Sequence, residues 1–161
     1  MEIREARPAD FAAAGDVAVA AYAGFYGDEL GSYEGALRDV EGRARDGVVL
    51  LAIVHDAIAG TVTYVADDRS PLATGRQRAG EASIRMLSVE PAYGRRGIGR
   101  ALSIACIERA RSDGKSSIVL HADEEMRASQ ALYESLGFRR DPSRDFHPDD
   151  VTALVCYVLK L

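Results

Sequence analysis

The sequence predicts one α/β domain over residues 1–161, in which a mixed, mostly antiparallel β-sheet carries helices on both faces. Two β-branched runs, 48–54 and 58–65, are separated by three residues, which is typical of a β-hairpin. A strand pattern at 82–89 leads through a glycine-rich turn into an amphipathic helix. The whole chain follows the order β-α-α-β-β-β-α-β-α-β-β, which predicts this fold class.

The N-terminal part of the chain has the pattern of one short strand followed by two helices. Residues 3–6 form the strand pattern, and Pro8 then indicates a turn. Asp10 is a suitable helix N-cap before the alanine-rich run 11–22. A second amphipathic stretch at 33–45 predicts another helix, so a strand and two helices precede the hairpin.

The middle of the chain contains a long loop, a strand and a helix. Residues 66–80 are rich in Asp, Gly and Ser and poor in apolar side chains, which predicts a loop of unusual length. The strand at 82–89 ends before Pro91, because proline has no N–H for the ladder. From Gly97 onward, apolar residues recur at helical spacing, and this helix is expected to end near Gly114.

The C-terminal part supplies the remaining elements. An apolar run at 117–121 predicts a buried strand. A short helix pattern at 128–136 stops at Gly137, where a left-handed cap is easily formed. Residues 151–161 form the last strand pattern, which completes the predicted order.

Composition and charge exclude several classes of protein. The apolar fraction of 47% is ordinary for a globular domain, and a net charge of −5 argues against general nucleic-acid binding. The longest apolar run, 48–54, is too short to span a membrane, and the N-terminus lacks a secretory signal pattern, so we expect a cytoplasmic protein. Neither Cys106 nor Cys156 indicates a disulfide, and no cluster has the spacing of a metal site.

The segment 86–102 carries the clearest chemical signal. A strand enters a turn in which Gly94, Gly97 and Gly99 allow a ligand to approach the backbone closely. The helix that follows directs its free N–H groups and positive dipole end at the turn, which predicts a phosphate site. A P-loop would need Gly-Lys-Ser/Thr, and a Rossmann unit would place its glycines near the first strand; this sequence has neither feature.

This segment resembles the signature of the GNAT family of N-acetyltransferases, in which a Leu-x-Val strand and a Pro precede Arg/Gln-x-x-Gly-x-Gly/Ala at the start of a helix. Residues 128–138 are similar to the family's Leu-Tyr-x-x-x-Gly-Phe segment. The resemblance covers nearly the whole chain. It implies the GNAT fold, with about seven strands splayed between strands 4 and 5. It also implies acetyl-CoA as co-substrate, a small-molecule, peptide or protein amine as acceptor, direct transfer in a ternary complex, and a homodimer.

The resemblance assigns a cofactor role to two groups of residues. The strand residues would pair through their backbone with the pantetheine arm: Leu87, Ser88 and Val89. The turn residues would hold the pyrophosphate: Gly94, Arg95, Arg96, Gly97, Ile98, Gly99 and Arg100. Gly94 departs from the family pattern, which has Arg or Gln there, so backbone contacts are retained and a side-chain contact is lost.

The resemblance also implies catalytic residues. Tyr133 matches the family tyrosine near the thioester sulfur, where a phenol can donate a proton to the departing thiolate. Many relatives supply a glutamate base at the position of Ser83; Glu81 lies two residues earlier, on the same face of the strand, and is our candidate base through a bridging water. His121 ends a strand near the same region, although a lone histidine is more often structural than catalytic.

A second function fits the same motif. The departures at Ser83 and Gly94 are consistent with a CoA-binding sensor or partner protein that has kept the cofactor site and lost catalysis. Turnover with an amine distinguishes this alternative from the enzyme.

Overall fold

The computed structural model describes residues 1–73 and 77–161. Its strands are β1 (Glu2–Glu5), β2 (Val48–Val54), β3 (Ala57–Val65), β4 (Glu81–Val89), β5 (Ser117–Asp123), β6 (Arg139–Arg140) and β7 (Leu154–Lys160). They form one seven-stranded sheet in the order β1-β2-β3-β4-β5-β7-β6. Among the strands of these described residues, only β4 and β5 pair in parallel, and the other neighbours are antiparallel. The predicted mixed, mostly antiparallel sheet is confirmed.

The helices cover both faces of this sheet. They are α1 (Phe11–Tyr26), α2 (Tyr33–Arg38), α3 (Val40–Asp46), α4 (Ile98–Ser112) and α5 (Arg127–Ser135). Helices α1 to α3 connect β1 to β2, α4 connects β4 to β5, and α5 follows β5. Within the described ranges, no helix has the length and apolar character that a membrane crossing requires.

The sequence predicted one helix at 33–45, and the structure has two. Asp39 separates α2 from α3 with a non-helical backbone (φ −75°, ψ 63°). Its side chain accepts a hydrogen bond from the amide of Gly42 at 2.9 Å, which caps the start of α3. Asp39 therefore begins a new helix within a continuous amphipathic pattern.

The predicted hairpin is present as β2 and β3. Val54 pairs with Ala57, so His55 and Asp56 alone form the turn, with φ of 48° and 63°. Positive φ at both central residues is typical of the type I′ turn that matches strand twist. The predicted loop 66–80 contains no helix or strand at 66–73 or 77–80, and residues 74–76 lie outside the described part of the chain.

Alternate side chains of the sheet enter different cores. Helices α4 and α5 cover one face, where Leu102 packs with strand residues such as Leu120. Helices α1 to α3 cover the opposite face, where Ala18 and Leu37 pack around Met86. The two faces are therefore separate environments, and groups on opposite faces can meet only where the sheet is open.

The sheet opens between β4 and β5. These strands pair only over 81–83 and 117–119, at the start of each strand. Beyond that point β4 remains paired with β3 and β5 remains paired with β7. An irregularity in β4 accompanies the separation: Met86 has a φ of 52°, and the register with β3 shifts next to it. The predicted splay between strands 4 and 5 is thus confirmed.

Candidate active site

The turn between β4 and α4 presents a concave row of backbone amides. A short 3₁₀ turn at Pro91–Tyr93 leads into Gly94, and the left-handed residues that follow are Arg95 (φ 62°) and Gly97 (φ 76°). Left-handed residues interspersed in a turn point successive N–H groups toward one side, which creates an anion-binding nest. A Cβ built on Gly97 would meet no atom within 4 Å, so this side of the turn is open to a ligand.

The start of α4 adds its own free amides to this turn. The amide of Ala101 donates to the carbonyl of Gly97 at 3.0 Å and makes the first bond of the helical ladder. The preceding amides, at 98–100, belong to the first helical turn, in which N–H groups have no partner within the helix. Together with the helix dipole, they favour an anion at the mouth of the turn.

Each side chain of the predicted phosphate segment has a defined place. Ile98 is 2% exposed and anchors the start of α4 in the core. A Cβ on Gly99 would lie 3.4 Å from Leu132, so this glycine packs closely against α5. Arg95 and Arg96 are exposed, and the Arg96 guanidinium lies 5.4 Å from the Tyr93 ring centroid.

The remaining arginine of this segment also lies at the surface. Arg100 donates to the Ser135 hydroxyl at 3.0 Å, which connects the first turn of α4 to the end of α5. The turn therefore combines inward backbone donors with three exposed cations around it. This arrangement suits a phosphate group that the backbone holds and nearby positive charge attracts.

The open side of β4 presents two further backbone donors. The amide of Glu90 donates to Ala59 of β3 at 2.9 Å. Because backbone groups alternate in direction along a strand, the amide of Ser88 also faces β3, whereas those of Leu87 and Val89 face the gap toward β5. All three residues predicted to bind the pantetheine arm thus lie beside the gap, but only two present amides to it.

Tyr133 lies in the core on the α4–α5 face. Its ring packs at 5.8 Å from Phe138 and 6.4 Å from Tyr157, measured between centroids, and the residue is 6% exposed. Burial raises the pKa of its phenol above the ordinary value, so the hydroxyl stays protonated at neutral pH. A protonated phenol is a potential proton donor.

Three tyrosines gather on the other side of the sheet. Tyr22 and Tyr26 of α1 stack at 6.2 Å, and Tyr33 contacts Tyr22 edge-on at 5.6 Å. Burial raises the pKa of Tyr22 most, and the phenols of Tyr33 and Tyr133 raise it further. Tyr22 and Tyr133 belong to helices on opposite faces of the sheet.

Asp123, at the end of β5, connects this aromatic group to the far side of the gap. Its carboxylate accepts a hydrogen bond from the Tyr26 hydroxyl at 2.8 Å and another from the amide of Glu125 at 2.9 Å. These aromatic residues were not among the predicted site residues. Their spacing at i and i+4 on α1 was the available signal, but such spacing equally indicates an ordinary core face.

Glu81 lies at the opposite end of β4 from the turn at residues 94–100, which we call the phosphate turn after its predicted ligand. Val89 lies eight positions further along the chain, a distance of about 25 Å along an extended strand. Its carboxylate accepts hydrogen bonds from the Arg144 guanidinium at 2.6 and 2.9 Å, and the two side chains are only 8% and 5% exposed. The structure therefore does not bring Glu81 together with the other predicted site residues.

The surroundings of Glu81 explain its ionisation. Burial raises the pKa of this carboxyl, but hydrogen bonds from Arg144, the amide of Arg78 and the Ser117 hydroxyl together outweigh it and place the pKa below its ordinary value. A carboxylate with three partners and a lowered pKa is a poor proton acceptor at neutral pH.

The family assignment agrees with this geometry. The model of the acetyltransferase (GNAT) family matches residues 11–138. This chain belongs to the GNAT family. The match includes the opening helices, the hairpin, the phosphate turn and the segment that contains Tyr133.

Individual curated relatives match shorter stretches of this chain than the family model does. Mycothiol acetyltransferase of Renibacterium salmoninarum is 39% identical over 66 residues, which are 41% of this chain and 19% of that protein. The [ribosomal protein bS18]-alanine N-acetyltransferase of Escherichia coli K12 is 36% identical over 69 residues, 42% of this chain and 47% of that protein. This GNAT chain thus matches between about a fifth and a half of the length of these curated relatives.

A solved structure resembles the whole fold. Salmonella typhimurium yncA, whose structure holds its cofactor acetyl-CoA, is 25% identical, has a TM-score of 0.71, and aligns over 100% of this chain and 94% of its own. The alignment therefore includes every strand and helix described above.

Proposed function

We propose that this protein transfers the acetyl group of acetyl-CoA to a primary amine. The observation that carries the proposal is the separation of β4 from β5 beside a turn of unpaired amides. The turn suits a diphosphate, and the gap joins the two faces of the sheet. A long thiol carrier can therefore lie on one face and meet a second substrate from the other.

The residues of the turn fit the polar end of acetyl-CoA. Backbone amides of 95–100 would bind the pyrophosphate, and the open side of Gly97 leaves room for it. The gap-facing amides of Leu87 and Val89 would pair with the pantetheine arm, as in the addition of a strand to a sheet edge. When bound, acetyl-CoA supplies an activated acetyl group as a thioester.

The chain's own groups would assist the transfer at two points. A gap-facing amide of β4 is suited to donate a hydrogen bond to the thioester oxygen, where negative charge develops during attack. The Tyr133 hydroxyl is suited to give its proton to the departing thiolate, because a phenol is protonated at neutral pH and burial raises its pKa further. Glu81 has a structural role in this proposal, because Arg144 occupies its carboxylate.

The acceptor would enter from the face covered by α1 and α2. Tyr22, Tyr26 and Tyr33 lie there, and Asp123 places a carboxylate beside them. Aromatic faces and a nearby carboxylate attract a protonated amine. The similarity to mycothiol acetyltransferase and to the [ribosomal protein bS18]-alanine N-acetyltransferase makes small-molecule and peptide amines both candidates. Cytoplasmic location and a homodimer stay predictions.

The test combines binding with turnover. Calorimetry with acetyl-CoA should give saturable binding, and a panel of polyamines, amino sugars and peptides with a free α-amino group should yield free thiol above a no-amine control. Mass spectrometry should find the acetylated amine. Binding without turnover for any amine would favour the CoA-binding sensor, and absence of binding would refute both functions.

A further inference from the structure

His121 occupies the side of the gap from which the acceptor would enter. It lies in β5 two residues beyond Val119, the last residue that pairs with β4. Its neighbours Leu120 and Ala122 point into the core under α4 and α5. Because side chains alternate along a strand, His121 projects from the opposite face, which α1 and α2 cover.

The contacts of the imidazole determine which nitrogen carries the proton. Nε2 lies 3.0 Å from the backbone carbonyl oxygen of Arg144. A carbonyl can only accept a hydrogen bond, so Nε2 must carry the hydrogen, and Nδ1 therefore holds the lone pair. Phe146 packs edge-on against the ring at 5.0 Å and helps to fix its orientation.

The lone pair on Nδ1 is not used inside the protein. Nδ1 is buried and has no hydrogen-bond partner among the described residues. The hydroxyl of Ser83, on the neighbouring strand β4, is likewise buried and unpartnered within that part of the chain. Buried polar atoms without a partner are uncommon and call for an explanation.

These two unpaired atoms lie on the same face of adjacent strands. Ala82 and Ile84 enter the core under α4, so Ser83 projects toward α1 and α2, as His121 does. Ser83 pairs with Val119, two residues before His121. Both atoms therefore lie where the sheet begins to open.

We propose that Nδ1 of His121 is the proton acceptor for the amine substrate, and that the Ser83 hydroxyl accepts a hydrogen bond from the same ammonium group. This inference rests on the proposed function and identifies the base of that reaction. It assigns the role to a residue on β5 rather than to the carboxylate of Glu81.

The substrate nitrogen loses two protons in the proposed reaction. The substrate enters as an ammonium ion and gives one proton to Nδ1, which leaves a neutral amine and an imidazolium. The amine nitrogen then bonds to the thioester carbon, and the carbon–sulfur bond breaks. The second nitrogen proton reaches the departing sulfur by way of the Tyr133 hydroxyl. His121 finally releases its proton to solvent.

The charged groups around His121 favour its neutral form. Burial lowers the pKa of the imidazole most, and the hydrogen bond to the Arg144 carbonyl is the main opposing influence. The charges of Arg144 and Arg85 lower the pKa further, Asp145 raises it slightly, and the pKa lies below its ordinary value. Arg85 faces the ring from β4, and Arg144 and Asp145 face it from the segment before β7. The lone pair is therefore available at neutral pH.

A structural role for His121 makes a different prediction from a catalytic one. Glutamine places an amide N–H close to the position of Nε2, so His121→Gln preserves the hydrogen bond to Arg144 and removes the basic nitrogen. We expect the turnover number to fall about 10²- to 10⁴-fold, with acetyl-CoA affinity and melting temperature nearly unchanged. The remaining rate should rise continuously with pH, because only amine deprotonated by solvent can react.

The matched control is His55→Asn, in the β2–β3 turn, where asparagine tolerates positive φ. This variant should keep the wild-type rate and pH profile. A His121→Gln enzyme with wild-type turnover and an unchanged acid limb would overturn the inference alone. Equal losses of turnover, cofactor affinity and melting temperature would overturn it as well, in favour of a structural histidine.

A measurement on the wild type keeps the inference testable if the variant does not fold. The acid limb of kcat/KM should have the same midpoint for two amines of different basicity, since an enzyme group sets it. A midpoint that follows the basicity of the amine would refute the inference. A wild-type protein that transfers acetyl to no amine would refute the proposed function itself.

Discussion

Replacing Gly97 with alanine should weaken acetyl-CoA binding by about 10- to 150-fold and lower the free energy of unfolding by only about 1 kcal/mol. Gly97 lies at the junction of the phosphate turn and α4, in a left-handed conformation (φ 76°, ψ 8°). No atom lies within 4 Å of the added methyl group, which therefore extends into the space in front of the turn.

The two magnitudes have separate origins. A left-handed conformation costs an L-residue about 1–2 kcal/mol, and the reduced freedom of the unfolded chain offsets about 0.4–1 kcal/mol of this cost. The binding loss arises because the methyl group keeps a phosphate away from the amides. One lost hydrogen bond to a charged group is worth about 1.5–3 kcal/mol, which corresponds to the stated change in Kd.

Gly114 offers a matched control at the other end of the same helix. It also has a positive φ, of 68°, and a Cβ built there meets no atom within 4 Å. Gly114→Ala should therefore lose the same stability as Gly97→Ala and bind acetyl-CoA like the wild type. Calorimetry and denaturant unfolding measure both quantities. Equal cofactor affinity in the two variants would refute the assignment of the turn.

Three further predictions address the remaining groups. Tyr133→Phe should reduce the turnover number about 10²- to 10⁴-fold at nearly unchanged acetyl-CoA affinity, and a wild-type rate in steady-state assays would exclude the phenol as proton donor. Glu81→Gln should lower the free energy of unfolding by about 3–5 kcal/mol and the melting temperature by about 6–20 °C, because it removes the carboxylate that binds the buried Arg144 guanidinium. An unchanged melting temperature together with a loss of turnover would instead support Glu81 as the base. The hydrogen bond from Arg4 lowers the pKa of the Asp10 carboxyl to about 2. This carboxylate therefore stabilises the fold above its unfolded pKa of about 4, and the effect is lost as the pH falls toward 2. Acid unfolding should be less steep in Asp10→Asn, and identical acid titrations of the two proteins by circular dichroism would contradict this.

Local patterns were sufficient for most of the fold. The hairpin followed from two β-branched runs and a short connection, and the phosphate turn followed from glycines between a strand and a helix. These features depend on residues close together in the chain. The break at Asp39 was missed because the apolar pattern continues through it, although Asp is a good helix N-cap.

The position of the candidate base Glu81 relative to the gap was the feature that the sequence indicated least. Strand alternation correctly placed Glu81 and Ser83 on one face of β4, but it could not indicate where along the strand the sheet opens. Glu81 lies at the paired end, where Arg144, 63 positions later in the chain, binds its carboxylate. Nothing in the sequence near Glu81 indicates this partner.

The sequence by itself determined the order of the elements, the family and the glycine-rich turn that we propose binds the cofactor, because backbone geometry there follows from neighbouring residues. Only the tertiary structure decided that Tyr26 of α1 reaches Asp123 at the end of β5, and that the carbonyl of Arg144 sets the tautomer of His121. Burial and hydrogen-bond partners depend on segments that are distant in the chain. Burial and hydrogen-bond partners control which group holds a proton, so the proton-transfer roles of the side chains can be assigned only from the folded structure.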